Sequence, residues 1–388
     1  MIQRFLFSTI QELLEQNPAV ALLGPRQAGK TTLAKHIADA YQHEALYLDL
    51  EKNKDLRKLD DASSFLEHNS DKLVIIDEVQ TLPHLFSELR PLIDSKRTPG
   101  RFLLLGSASP TLVKGVSETL AGRIAYCELA PFNITETTPK PVAQQTLWLR
   151  GGFPPSLLAE KDTVSMKWRT AFIKSYIQSE LSNLFHVDLT PVTIQNFWQM
   201  LSHYHGGIWN AHTFAGSLGV TAPTVRRYLE YMEGAFLVRR LEPWFVNAKK
   251  RLVKSPKIYL RDSGLLHALL SIDELNELYG HHVAGASWEG FVIEQVAALL
   301  PENIRPFYYR THAGAETDLI LVKGVKPVAA IEIKLSNAPV ISKGFRECIN
   351  DLKTKSNFVI TPAGDEYMLE KIQVCSLQMF VKKYLSQL

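Results

Sequence analysis

Gly24-Pro25-Arg26-Gln27-Ala28-Gly29-Lys30-Thr31 has the spacing GxxxxGK(S/T), follows an apolar run and opens a helical pattern. Glycines let successive backbone N–H groups curl around phosphate oxygens, and the helix start that follows adds a partial positive charge. Lys30 would reach the β- and γ-phosphates of a nucleotide such as ATP, and Thr31 would offer its hydroxyl to Mg2+. The nucleotide-binding stretch is therefore Gly24, Pro25, Arg26, Gln27, Ala28, Gly29, Lys30, Thr31 and Thr32. Leu73-Val74-Ile75-Ile76-Asp77-Glu78 supplies the complement, four apolar strand residues ending on two carboxylates. Asp77 is suited to hold Mg2+ through water, and Glu78 to orient and deprotonate an attacking water. The plainer alternative is an acidic cap on the helix that follows.

Such groups need a sheet to place them. Ala19–Leu23, Ala45–Leu50, Leu73–Ile76, Phe102–Leu105 and Ile124–Leu129 read as five strands filled on both faces, as in a buried parallel sheet. Helical patterns lie between them at 31–40, about 56–67, 85–95 and 110–121, an α/β alternation. The Thr- and Pro-rich stretch 131–143 marks a domain edge. Residues 163–203 read as helical and aromatic. Arg123, just before the fifth strand, is a candidate to stabilise γ-phosphate charge in cis or from a neighbouring subunit, with a structural salt bridge as the alternative. Arg90 and Arg101 are weaker candidates.

A second chemical pattern lies between 307 and 334. Asp318 opens one strand, and Glu332 and Lys334 sit two apart on the next, so both project from one face. Charges on an otherwise apolar strand are costly to bury without partners, and Asp318 could supply one.

The net charge of +3 hides an uneven distribution. Residues 205–262 hold ten Lys/Arg against four Asp/Glu, whereas residues 1–150 nearly cancel. Within the basic segment, 212–218 reads as a short helix, Gly219-Val220 as a turn, and Thr221 as the cap of a second helix with an apolar stripe at Val225, Tyr228, Leu229 and Met232. Helix, turn and helix is the helix-turn-helix pattern, with residues 236–241 as a wing strand. Thr224, Arg226 and Arg227 face away from the stripe toward phosphates or base edges, and Lys249, Lys250 and Arg251, with Lys254 and Lys257, add to the basic patch. The partner is DNA on this reading, or a protein if the helices serve only as a packing module.

Composition bounds the rest. At 46% hydrophobic and 21% charged, the chain is neither disordered nor low-complexity. No apolar run approaches the 18 or more residues of a membrane helix, so no membrane partner is expected. Three scattered cysteines suit a reducing cytoplasm.

The first 130 residues resemble the AAA-type P-loop ATPases with an additional strand. The resemblance implies sheet order 5-1-4-3-2 and a γ-phosphate-sensing role for Ser107 at the end of the fourth strand. Asp318 with Glu332-x-Lys334 resembles the PD-(D/E)XK superfamily of restriction-endonuclease-like nucleases. That resemblance implies Mg2+ on Asp318 and Glu332, Lys334 as the residue that orients hydroxide, and a third carboxylate from a preceding helix, Glu294 or its rival Glu289. Thr317 stands where that family often has proline. Over nearly the full length, GPRQAGKTTL, LVIIDEVQTLP, LLLGSAS, ETLAGR, LRGGFP, SPKIYLRDSGL and YYRTHAGAETDLIL with IEIK are similar to a widespread group of prokaryotic AAA-type ATPases with a C-terminal domain of unknown function.

The expectation is thus an α/β ATPase core (1–145), a helical connector (146–204), a winged helix (205–250) and a restriction-endonuclease-like domain (251–388). Its expected function is ATP hydrolysis coupled to action on DNA, with a possible Mg2+-dependent nuclease site. The alternative is a signalling ATPase whose nuclease-like fold makes protein contacts. A homo-oligomer is possible if Arg123 acts in trans.

Overall fold

The structure, a computed structural model, describes every residue except Met1, His43, 110–119, 138–142, His186, Asp188 and 246–250. The helix expected at 110–121 therefore lies almost wholly outside the described residues. The chain forms two compact units. The first comprises residues 1–132, 175–189 and 230–237, and the second residues 133–174, 190–229 and 238–388. The boundaries expected at 145, 204 and 250 all fall inside the second unit.

In the first unit, β1 (Ala19–Leu23), β2 (Ala45–Asp49), β3 (Leu73–Asp77), β4 (Phe102–Gly106) and β5 (Ile124–Glu128) form a parallel sheet of order β2-β3-β4-β1-β5. This is the order 5-1-4-3-2 read from the other edge. Every residue of β1, β3 and β4 is buried. The reason is visible in the side-chain alternation. Ala19, Ala21 and Leu23 share a core with Phe86, Leu89 and Leu92, while Val20 and Leu22 share the opposite core with Ile10, Leu14, Leu33 and Ile37. The helices that supply these residues are Leu6–Gln16, Lys30–Ala40 and Leu85–Ser95.

The single helix expected at 56–67 is broken. It appears as Asn53–Leu56, a 3-10 turn at Arg57–Leu59, and Ala62–His68. Asp61 accepts the N–H of Ser64 at 3.1 Å, a side-chain cap that starts the last helix afresh.

The second unit holds helices Pro191–His203 and Ala211–Leu218, followed by the helix Ala222–Gly234, which begins in it. Gly219 ends the shorter helix at φ +66, and the Thr221 hydroxyl accepts the N–H of Thr224 at 3.3 Å. β6 (Val238–Leu241) pairs antiparallel with β7 (Lys257–Leu260), and Ile208 bridges to Lys257. Phe236, expected in the wing strand, instead takes a left-handed φ of +60 and belongs to the core of the first unit.

A six-stranded mixed sheet completes the second unit. β8 (Ile304–Arg310), β9 (Glu316–Lys323), β10 (Lys326–Ile333), β11 (Ser356–Thr361), β12 (Tyr367–Leu369) and β13 (Ile372–Ser376) lie in the order β12-β13-β11-β10-β9-β8. β8, β9 and β10 are antiparallel neighbours, and β11 runs parallel to β10. Helix Ala284–Ala297 precedes these strands, and helix Lys343–Leu352 separates β10 from β11.

Candidate functional site

The phosphate loop lies between β1 and the helix Lys30–Ala40. Three residues turn it through positive φ: Gly24 at +153, Gln27 at +62 and Gly29 at +99. Only glycine fits the first position, because a Cβ there would stand 2.2 Å from the Leu129 carbonyl oxygen. Arg4 braces the loop from outside, its guanidinium donating to the carbonyls of Ala28 (2.7 Å) and Ala130 (2.5 Å).

Lys30 is 5% exposed and extends back along the loop. Its ammonium donates to the carbonyls of Gly24 (2.9 Å) and Pro25 (3.0 Å) and to Ser107 Oγ (2.9 Å). Burial lowers its pKa to about 8, against the opposing pull of Glu78 and Asp77. A buried ammonium in a loop of curled backbone fits the phosphates of a nucleotide, which would supply the anion it lacks. Thr31 Oγ1 donates to Asp77 Oδ2 at 2.6 Å, and the Tyr47 hydroxyl donates to the same oxygen. This pairing of a hydroxyl with a carboxylate is a hard-oxygen donor set, the chemistry that suits Mg2+. Thr32 is exposed on the first turn of the helix, where backbone N–H groups have no partner one turn earlier.

Glu78 sits just past the end of β3 at φ +55, and its N–H donates to Asp77 Oδ1 at 3.0 Å. Ser107, fully buried just after β4, donates its hydroxyl to Glu78 Oε1 at 3.1 Å. Gln80 clamps the pair, donating to Glu78 Oε2 and accepting the N–H of Ser107 at 3.3 Å. The structure thus brings Lys30, Thr31, Asp77, Glu78 and Ser107 together. Gln80 and Tyr47 complete the site and were not foreseen, although Gln80 lies only two residues beyond Glu78.

Arg123 is placed elsewhere. It precedes β5 at the N-terminal end of the strand, whereas the phosphate loop leaves the C-terminal end of the neighbouring β1. Its guanidinium grips Asp94 in a fork of 2.7 and 2.8 Å. This corrects the expectation that Arg123 reaches the γ-phosphate in cis. Arg101 is likewise structural, donating to the carbonyls of Leu92 (2.5 Å) and Lys96 (3.1 Å), and Arg90 is exposed on its helix.

In the second unit the carboxylate pattern is assembled differently from the expectation. Asp318 Oδ2 accepts the N–H of Ile333 at 2.8 Å, which sets it beside Glu332 across the antiparallel pair. Lys334 donates to Glu332 Oε1 at 2.9 Å, and Glu332 Oε2 is buried without a hydrogen-bond partner. Glu294 does not join them. It accepts from Arg239 and, at 3.0 Å, from Arg261; burial pushes its pKa up, but the two guanidiniums hold it down overall. Glu289 faces the cluster in its place. Five residues earlier on a helix is about 140° around the axis, so the two glutamates cannot share a face.

Lys257 enters the same cluster. It is 4% exposed and donates to Glu289 Oε1 at 3.0 Å and Glu316 Oε1 at 2.6 Å, which removes it from the basic surface patch where the sequence put it. Burial raises the Asp318 pKa to about 7, Glu289 adds to the shift, and Lys257 opposes it. Glu294, held by Arg239 and Arg261, is not the third carboxylate expected beside Asp318 and Glu332, and among the described residues no group of three or more His, Cys, Asp or Glu side chains is placed to hold a metal ion.

Thr224 shares a 2.9 Å hydrogen bond with Thr221, so its hydroxyl serves the turn. Arg226, Arg227 and Arg251 are exposed, and Lys249 and Lys250 lie outside the described residues. Among the described residues no helix is long and apolar enough to cross a membrane.

Comparison with known proteins divides the chain in three. Residues 16–138 match the AAA domain, residues 143–276 match a domain of unknown function (DUF8612), and residues 284–380 match another (DUF4143). The uncharacterized proteins Rv2008c of Mycobacterium tuberculosis and Mb2031c of Mycobacterium bovis are each 42% identical over 361 residues, 93% of this chain and 80% of theirs. Among solved structures, the Walker-type ATPase of Pyrococcus abyssi is 15% identical, covering 70% of this chain and 96% of its own, with a TM-score of 0.47.

Proposed function

This chain belongs to the family of those two mycobacterial proteins and carries an AAA domain, and on that premise we propose that it binds ATP, hydrolyses it at Glu78 and uses the cycle to act on DNA. The observation that carries the hydrolysis reading is the line from Lys30 through Ser107 to Glu78. One hydroxyl accepts from the cation that would hold the phosphates and donates to the carboxylate that would activate water.

The residues divide the work. Lys30 neutralises the β- and γ-phosphates, and the backbone of 24–32 cradles them. Glu78 orients water and takes its proton, with Gln80 and Ser107 fixing the carboxylate. Thr31 and Asp77 would hold Mg2+, which would supply neutralisation of the phosphate charge. ATP binding by the full chain should be lost in Lys30→Ala, and equal binding by the two proteins would refute this assignment.

Contact with DNA is supported by the arrangement of three helices, the β6–β7 ladder and the Ile208 bridge, which resembles a winged helix, with Arg226 and Arg227 exposed on its last helix. Affinity for a duplex should fall steeply with salt, and Arg226→Ala with Arg227→Ala should flatten that dependence by roughly one unit of slope per lost phosphate contact. No binding at low salt would favour a protein partner.

We read the carboxylates of the second unit as an ion-pair network gathered on Lys257. Lys257 already supplies, to Glu289 and Glu316, a cation that a nuclease centre would leave to metal.

A further inference from the structure

The phosphate loop carries a second cation whose partners the nucleotide site does not explain. Arg26, in the third position of the motif, donates through Nη2 to Glu51 Oε1 at 2.7 Å and through Nη1 to Glu180 Oε2 at 2.5 Å. The same Nη2 stands 4.0 Å from Glu78 Oε2, and Nε is buried without a hydrogen-bond partner. The Arg26 backbone N–H, one of the loop's donors, is given at 3.3 Å to the hydroxyl of Tyr176. Tyr176 and Glu180 bound a π-helical turn, Tyr176–Glu180, which leads into the helix Leu181–Phe185. This segment, from far along the chain, closes on the loop within the first unit.

A guanidinium beside the carboxylate that activates water is also beside the phosphate that water attacks. Its planar fork suits phosphate oxygens at least as well as carboxylates. Glu51 is more than half exposed, so its claim on Arg26 is weakened by solvent. Glu180 is half-buried; burial raises its pKa and Arg26 opposes that rise, so losing Arg26 would leave a desolvated charge that favours movement of its helix.

Building on the ATPase reading, we propose that Arg26 is the γ-phosphate sensor of this protein, supplied in cis by the phosphate loop, and that its exchange of Glu180 for phosphate reports the nucleotide state to the segment Tyr176–Phe185. Arg123, held on Asp94, is not needed for that role.

The test uses the full chain, with ATP and ADP affinities, hydrolysis, and amide hydrogen exchange over 176–185. Arg26→Ala should keep ADP affinity within about threefold of wild type, lose the preference for ATP over ADP, and hydrolyse roughly a thousandfold more slowly. Arg26→Lys should recover part of the rate. In wild type a non-hydrolysable ATP analogue should speed exchange over 176–185 relative to ADP, and in Arg26→Ala the two nucleotides should give the same exchange. Glu180→Gln, which keeps the loop intact, should raise the preference for ATP severalfold. Wild-type hydrolysis and wild-type ATP preference in Arg26→Ala would overturn the inference, as would an unchanged preference in Glu180→Gln. Lys30→Ala separates the levels. If it binds ATP as wild type does, the ATPase reading falls and the sensor with it. If it does not, while Arg26→Ala matches wild type, the sensor alone falls.

Discussion

The Lys30 ammonium lies 2.9 Å from the Ser107 hydroxyl, in the interior of the first unit, although 77 residues separate them. The parallel sheet makes this contact, because β4 is hydrogen-bonded directly to β1 and both strands end at the same edge. The hydroxyl then has one proton to give, and it gives it to Glu78.

Ser107→Ala should therefore leave nucleotide binding close to wild type and slow hydrolysis by a factor on the order of 10². The Lys30 ammonium keeps two carbonyl partners in the variant, whereas Glu78 keeps Gln80 and the more distant Arg26 guanidinium on Oε2 and loses the hydroxyl that fixes Oε1. Steady-state kinetics should show the loss in kcat. An equal loss of ATP affinity would mean that Ser107 shapes the loop instead.

The depressed pKa of Lys30 gives ATP affinity a pH dependence of known sign. In the free protein Lys30 loses its proton near pH 8, and a bound phosphate favours the charged form and raises that value. Affinity should be flat below pH 8 and weaken by up to about tenfold per pH unit above it, because binding must then take up a proton. A fluorescent ATP analogue titrated between pH 7 and 9.5 would show this. Constant affinity over that range would remove Lys30 as the cation that faces the phosphates.

The core of the ATP site was legible because it is local. Gly24 to Thr31 and Leu73 to Glu78 are contiguous runs, and the strand pattern alone places both at one sheet edge. Tyr47, Tyr176 and Glu180 left no such mark, since they reach the site from another strand and from a segment about 150 residues away. Glu289 and Glu294 show a second limit. Trp288, Phe291, Val292, Ile293 and Val296 are all buried and wrap most of the helix, so its sequence carries no polar stripe to mark which glutamate points inward. Lys257 was counted with the surface cations by composition, yet its place on β7 turns it into a carboxylate cluster.

Lys257 offers the sharpest test of the second unit. Lys257→Met leaves Glu289, Glu316 and Asp318 without their shared cation, and loss of one partner of a buried pair costs about 3–5 kcal/mol. The melting temperature should fall, and by less at pH 5 than at pH 8, because Asp318 already titrates near 7 with Lys257 in place and protonates more readily without it. Wild type should show no Mn2+ binding that depends on Asp318. Asp318-dependent Mn2+ binding by wild type would restore the metal-centre reading.

The central claim is that Glu78 activates water at a site that holds ATP without it. The direct measurement is ATP binding and hydrolysis by Glu78→Gln beside wild type, in the full chain with Mg2+. Binding within a few-fold of wild type with turnover slowed at least about 10²-fold is the expected result. Hydrolysis by Glu78→Gln at the wild-type rate would contradict the account.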